Sequence, residues 1–300
     1  MLKIAYNEIY KHPLPEGHRF PMEKYELIPQ QLLYEGTITS DNIFNPKAIE
    51  DHILKKTHCT KYISKLKNNQ LSRAEERRIG FPHSEQLLKR EYLITGGTVE
   101  NVYHALEYGI SFNVAGGTHH SFADYGEGFC IFNDFAVAAN HFTKSNYLNK
   151  ILIVDLDVHQ GNGTASLMQD NKNVFTFSMH GKNNFPLKKE KSDLDIPLED
   201  NINDDQYLDI LFKTLPELTE RVKPQFIMYL SGVDILANDK LGRLGLSING
   251  CKARDQFVIE HCFQKKIPLT VSMGGGYADK ISDIVEAHSN TYRIAANLYF

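Results

Sequence analysis

Asp157 and His159 stand two residues apart at the end of an apolar run, in "ILIVDLDVHQGNG" from Ile151 to Gly163. On an extended segment residues i and i+2 share a face, so this carboxylate and imidazole can hold one metal ion together. Asp155 alternates with them and lies just behind; alone it reads equally as a helix cap. Asp234, in "YLSGVDILANDKLG", also follows an apolar run, and alone it too is a helix cap. With Asp157 and His159 it makes an Asp-His-Asp set. Three protein ligands with a position left open is the arrangement of catalytic zinc, whereas structural zinc is closed by four. The chemistry of such a site is polarisation of a carbonyl and activation of a water.

Two further segments carry groups suited to that chemistry. In "GGTHHSF", His119 and His120 follow Gly116 and Gly117. Neighbours on a regular strand point to opposite faces, but the glycines permit a bend that turns both imidazoles one way. A histidine so placed can take a proton from water; the alternative is two unrelated loop residues. In "VSMGGGYADK" three glycines allow the backbone to pass close to a ligand. Tyr277 follows them, and either packs in its loop or donates its phenol to a developing oxyanion. Asp239 reads as structural.

These groups need strands that end together. The runs "LKIAY", "SFNVAG", "ILIVDLDV", "VFTFSM", "FIMYLSG" and "IPLTVSM" are apolar on both faces, as buried parallel strands are. Helical stretches alternate with them at 84–108, 133–144, 204–222, 249–265 and 279–298. Pro216 is expected to bend or split the third. The "NG" pairs at Asn162 and Asn249 each precede a helical pattern, so they mark strand-to-helix loops rather than hairpins. Alternating strands and helices predict an α/β fold around a mostly parallel sheet. In such sheets ligands bind at the carboxyl ends of the strands. No linker or repeat interrupts the pattern, so residues 1–300 read as one domain.

With 42% hydrophobic residues, 300 residues suffice for a large core. A net charge of −4 argues against a nucleic-acid surface. No stretch approaches the ~20 apolar residues of a membrane span, and the first residues lack the apolar core of a signal peptide, so a cytoplasmic protein is expected. The four cysteines form no CxxC pair and read as reduced, structural thiols.

Together, "GGTHH", "GEGFCIFND", "DLDVHQGNG", "SGVD" and "GGGY", in this order, resemble the zinc-dependent histone deacetylase family over nearly the whole chain. "LPEGHRFPMEKY" and "GFPHSEQLLKREYLITGGT" are similar to its class IV branch and bacterial relatives. The resemblance implies an arginase/deacetylase-like three-layer fold, with an eight-stranded, mostly parallel sheet flanked by helices. It implies an amidohydrolase that removes acyl groups, acetyl or longer, from lysine side chains in proteins or peptides. Asp157, His159 and Asp234 would hold zinc, or ferrous iron. His120 would be the general base, His119 its electrostatic partner and Tyr277 the oxyanion donor. Asp155 would face His119. Asn162 would face His120, where class I members carry aspartate, and should leave that imidazole with a lower pKa. Potassium would sit behind the zinc, held by Asp155, Ser178 and Met179, with His180 near the active site. Gly128, Phe129, Phe185 and Gly275 would line the acyl-lysine channel. His18 and Arg19 are open between the pocket floor and the surface.

The same machinery would serve a deacetylase of small acylated amines such as acetylpolyamines. A non-catalytic zinc module that holds acylated partners is the other alternative, and the presence of Tyr277 with both histidines argues against it. A ureohydrolase needs two manganese ions and a larger carboxylate cluster than this chain shows. Neither nucleic acid nor membrane is an expected partner, and the oligomeric state is open.

Overall fold

The computed structural model describes all residues, 1–300. Eight parallel strands form one sheet: β1 (Lys3–Ala5), β2 (Ile43–Phe44), β3 (Ile110–Asn113), β4 (Ile151–Asp155), β5 (Val174–Gly181), β6 (Leu194–Leu198), β7 (Phe226–Leu230) and β8 (Leu269–Ser272). Their order is β2-β1-β3-β8-β7-β4-β5-β6. Every residue of β3, β4, β7 and β8 is buried, which is why these strands read as continuous apolar runs. They are neighbours in the middle of the sheet. The loops that follow them carry the polar groups singled out above.

Ten helices flank the sheet: α1 (Lys24–Tyr34), α2 (Asp51–Leu54), α3 (Thr60–Lys67), α4 (Arg73–Ile79), α5 (Glu85–Tyr108), α6 (Asp134–Lys144), α7 (Asn162–Met168), α8 (Asp204–Val222), α9 (Ile248–Lys265) and α10 (Ile281–Tyr299). The five expected helices are α5, α6, α8, α9 and α10. Side chains start four of them: Ser84 caps α5, Asn133 caps α6, a capping box of Asn203 and Gln206 opens α8, and Ser247 caps α9. Asn162-Gly163 and Asn249-Gly250 lie in first helical turns, not hairpins. No helix is long and apolar enough to cross a membrane.

Three expectations need correction. Pro216 does not split α8, because Leu211, Leu215, Leu218 and Val222 anchor both sides of it in the core. The strand through Ile151 ends at Asp155, not Val158. Beyond it the N–H of Asp157 turns to the Asp155 carboxylate and that of Val158 to Asp234, so the chain leaves the sheet. The edge strands β2 and β6 were not expected from the sequence. One is two residues long and the other contains Pro197, as sheet edges tolerate.

Candidate active site

The loops after β4 and β7 bring Asp157, His159 and Asp234 together, all buried, with one ligand atom from each within 4.8 Å of the others. His159 Nδ1 lies 3.1 Å from Asp157 Oδ1 and 3.1 Å from Asp234 Oδ2. The outer oxygens are held by backbone: Gly275 N–H donates to Asp157 Oδ2 at 2.7 Å and Val158 N–H to Asp234 Oδ1 at 3.0 Å. Three donor atoms therefore converge on one point, and two buried carboxylates against one imidazole suit a divalent cation. Without it the groups trap protons. Burial, then the Asp157 charge, pushes Asp234 up to about 7. Burial opposes charge on His159, yet the two carboxylates raise it to about 10.

Gly116 (φ +83) and Gly117 (φ +70) make the expected bend after β3. It turns the rings of His119 and His120 to one side, with centroids 4.1 Å apart. Their partners differ. His119 Nδ1 meets Asp155 Oδ2 at 2.8 Å and His120 Nδ1 meets Asn162 Oδ1 at 2.7 Å. Burial opposes charge on His119, but Asp155 and Asp157 outweigh it and raise its pKa. Burial, with His119 and His159 adding to it, holds His120 well below the usual histidine range. Two adjacent imidazoles thus carry opposite tendencies, one toward the charged form and one toward the neutral form.

Tyr277 is 9% exposed. Its ring lies 6.4 Å from that of His159 and its backbone N–H donates to Asp239 Oδ2 at 2.6 Å. Asp239 also accepts from Leu241 and Gly242, tying the loops after β7 and β8 together. Burial, with Asp234 and Asp157 behind it, raises the Tyr277 phenol well above its ordinary value, so it remains a donor.

A cavity of 360 Å³ leads to these groups, walled by Phe129, Phe185, Gly128, Leu241 and Tyr277. An inner cavity of 40 Å³ continues from it past His119, Asp157 and Gly275. The Phe185 ring stands 4.9 Å from that of His120. Phe129 adopts φ +67 in the turn Glu127–Cys130, a left-handed conformation that costs about 1–2 kcal/mol outside glycine. The N–H groups of Gly128 and Phe129, bonded to the carbonyls of Arg78 and Ile79, hold it there. Gly128 packs flat on His120; a Cβ would come within 2.7 Å of the ring. Gly275, expected as a channel residue, lines the inner cavity and lies against the carboxylates of Asp157 and Asp234, where a Cβ would have no room. Arg19 is exposed at the channel mouth with its guanidinium 5.0 Å from the Phe129 ring centroid, so it is not at the floor. His18 bonds the Gly80 carbonyl.

Asp155 and Ser178 are register partners on β4 and β5, with Met179 next to them and buried. The Ser178 hydroxyl faces His180 Nδ1 at 2.9 Å. Asp155 Oδ2 is engaged by His119.

Sequence reasoning missed four supporting residues. Asp134 accepts from Gly117 N–H, Thr118 N–H, and the hydroxyls of Thr98 and Thr118, fixing the histidine bend. Arg254 is fully buried and donates to the carbonyls of Leu156 and Gly232, beside the loops that carry Asp157 and Asp234. Lys24 is buried and donates to the Gly274 carbonyl at 3.1 Å. Burial pushes its amine down to about 8, against the pull of Asp234 and Asp157. Its signal was available: Lys24 heads the buried stripe of α1 that continues through Ile28 and Leu32. The fourth is Glu127, whose Oε1 accepts from Asn162 Nδ2 at 2.7 Å.

Residues 18–292 match the histone deacetylase domain family. The chain is 41% identical over 296 residues to an uncharacterised protein of Picosynechococcus sp., covering 99% of both chains. It is 27% identical over 290 residues to Histone deacetylase 2 of Arabidopsis thaliana, covering 90% of this chain and 73% of that one. To the acetoin utilization protein AcuC of Staphylococcus xylosus it is 26% identical over 266 residues, 81% of this chain and 69% of that one. Among solved structures, an HDAC homolog from Aquifex aeolicus gives a TM-score of 0.83 at 23% identity, covering 98% of this chain and 84% of that one. The expected three-layer fold is borne out.

Proposed function

Because the chain belongs to the histone deacetylase family, we propose that it is a metal-dependent deacylase, one catalytic domain over residues 1–300, that removes acyl groups from lysine side chains. One observation carries this reading. A buried Asp-His-Asp set, two imidazoles of opposite tendency and a protonated phenol meet at the inner end of one channel.

Asp157, His159 and Asp234 are the residues that would hold zinc or ferrous iron, which when bound polarises the substrate carbonyl and acidifies a water. His120 is the general base. Its Nδ1 is engaged by Asn162, so Nε2 takes the proton. His119, whose pKa is raised by Asp155 and Asp157 against the effect of burial, stabilises the negative charge that builds up beside it and is a proton source for the leaving amine. Tyr277 donates its hydroxyl to the carbonyl oxygen as charge develops there, a contribution of about 3 kcal/mol for such a donor. Phe129 and Phe185 flank the methylenes of the lysine stem, with Gly128 letting the stem pass close to His120. Asp155, Ser178 and Met179 are proposed to hold potassium, for which oxygen donors are suited.

The 40 Å³ inner cavity suits a two-carbon acyl group, so acetyl is the first to test and longer chains the second. The experiment is acyl release by the zinc-loaded protein from acyl-lysine peptides and from acetylpolyamines, with and without a hydroxamate chelator. Hydroxamate-sensitive turnover of peptides supports the reading. Turnover of polyamines alone moves the substrate to small acylated amines. Stoichiometric zinc with no turnover of either rejects it in favour of a binding module.

A further inference from the structure

We propose that Glu127 is a positioning residue that locks the amide of Asn162 and, through it, the tautomer of His120. This rests on the reading of His120 as the base. The two ends of an asparagine amide differ only in that one accepts hydrogen bonds and the other donates them. A carboxylate accepts only. The Glu127 Oε1 atom, 2.7 Å from Asn162, therefore demands the NH2 end. The amide oxygen is then turned to His120 Nδ1, 2.7 Å away, and an oxygen there demands Nδ1–H. A neutral imidazole protonated at Nδ1 carries its lone pair on Nε2. The tautomer that leaves Nε2 able to take a proton is thus dictated two hydrogen bonds away. Asp155 holds the His119 Nδ1–H in one step, because its carboxylate contacts Nδ1 directly.

The chain positions Glu127 with care. It is the first residue of the turn that ends at Cys130, closed by Cys130 N–H to the Glu127 carbonyl at 2.9 Å. Gly128 (φ +56) and Phe129 (φ +67) form its corner, and the carbonyls of Arg78 and Ile79 anchor it. The turn that aims Phe129 into the channel therefore also fixes the carboxylate. Glu127 is half-buried and lines the outer channel.

The test combines imidazole nitrogen NMR of 15N-histidine-labelled protein with steady-state kinetics on an acetyl-lysine peptide. In wild type His120 shows the Nδ1–H signature. In Glu127→Ala the amide is free to rotate, the signature becomes a mixture of tautomers, and kcat falls about ten- to a hundredfold with KM unchanged. Glu127→Gln, nearly isosteric and able to present either end of its own amide, gives a smaller mixture and covers the case in which the alanine variant folds poorly. The double variant Glu127→Ala/Asn162→Asp restores both the signature and most of kcat, because aspartate accepts only. A pure Nδ1–H signature and wild-type kcat in both single variants would overturn the proposal. Loss of the signature in a protein whose wild type turns over no acylated amine leaves the lock standing and rejects the deacylase reading instead.

Discussion

Arg254 and Asp255 are buried as deeply as Asp157, His159 and Asp234, and the carbonyls of Leu156 and Gly232 connect the two groups. The Arg254–Asp255 pair is complete. Its charges cancel, Asp255 also accepts from Tyr229 and Thr291, and Arg254 spends its remaining donors on those carbonyls. The Asp157–His159–Asp234 set is incomplete. It holds two acids against one imidazole, and protons fill the deficit at Asp234 and His159. Burial with full pairing marks a support, whereas burial with uncancelled negative charge marks a site for a cation.

The sharpest way to break that distinction is Asp157→Ala. It should abolish zinc binding and acyl release together, read by metal analysis and turnover; retained stoichiometric zinc would reject the ligand set. Arg254→Met attacks the support instead. Removing one partner of a buried pair costs about 3–5 kcal/mol, so chemical denaturation should show a loss of that order, with weaker zinc binding because both ligand loops lose their anchor. An unchanged zinc affinity would separate the two clusters. Tyr277→Phe leaves both clusters intact, so zinc content should not change while kcat falls about 10²–10³-fold.

The pH response sharpens the comparison further. In the metal-free protein His159 is raised to about 10, above an unfolded value of about 6.5. The stability it contributes is therefore complete below about 6.5 and lost as pH rises through about 10. Thermal melts of metal-free protein should decline across that window. Loading zinc should remove the decline, because the coordinated imidazole no longer depends on a proton. Parallel declines with and without zinc would show that His159 does not belong to the cation set.

The sequence made the chemistry legible where a polar group interrupts an apolar run. Asp155, Asp157 and Asp234 stand out because buried strands rarely end in acids, and Gly116-Gly117 because the bend they allow is visible in their lack of a Cβ. Residues that act through a neighbour were harder to see. Asp134 reads as the first residue of a helix, Arg254 as one more charge on α9, and Glu127 as a turn residue; only the assembled structure shows which donors each one engages. The edge strands failed for a different reason: β2 is too short for a pattern and Pro197 argues against a strand at all.

The place of β8 in the sheet bears on how the protein reaches this state. It is the last strand in the chain and lies between β3 and β7. A nascent chain that has not yet delivered it holds two separate half-sheets, each with a long apolar edge unpaired, and pairings this distant in sequence form slowly. The loop after β8 supplies the Gly275 N–H and Tyr277. The candidate site is therefore complete only once β8 has joined the sheet. A polypeptide released before Leu269 would lack the activity altogether and would expose sticky strand edges to chaperones and proteases, rather than circulate as a half-active enzyme.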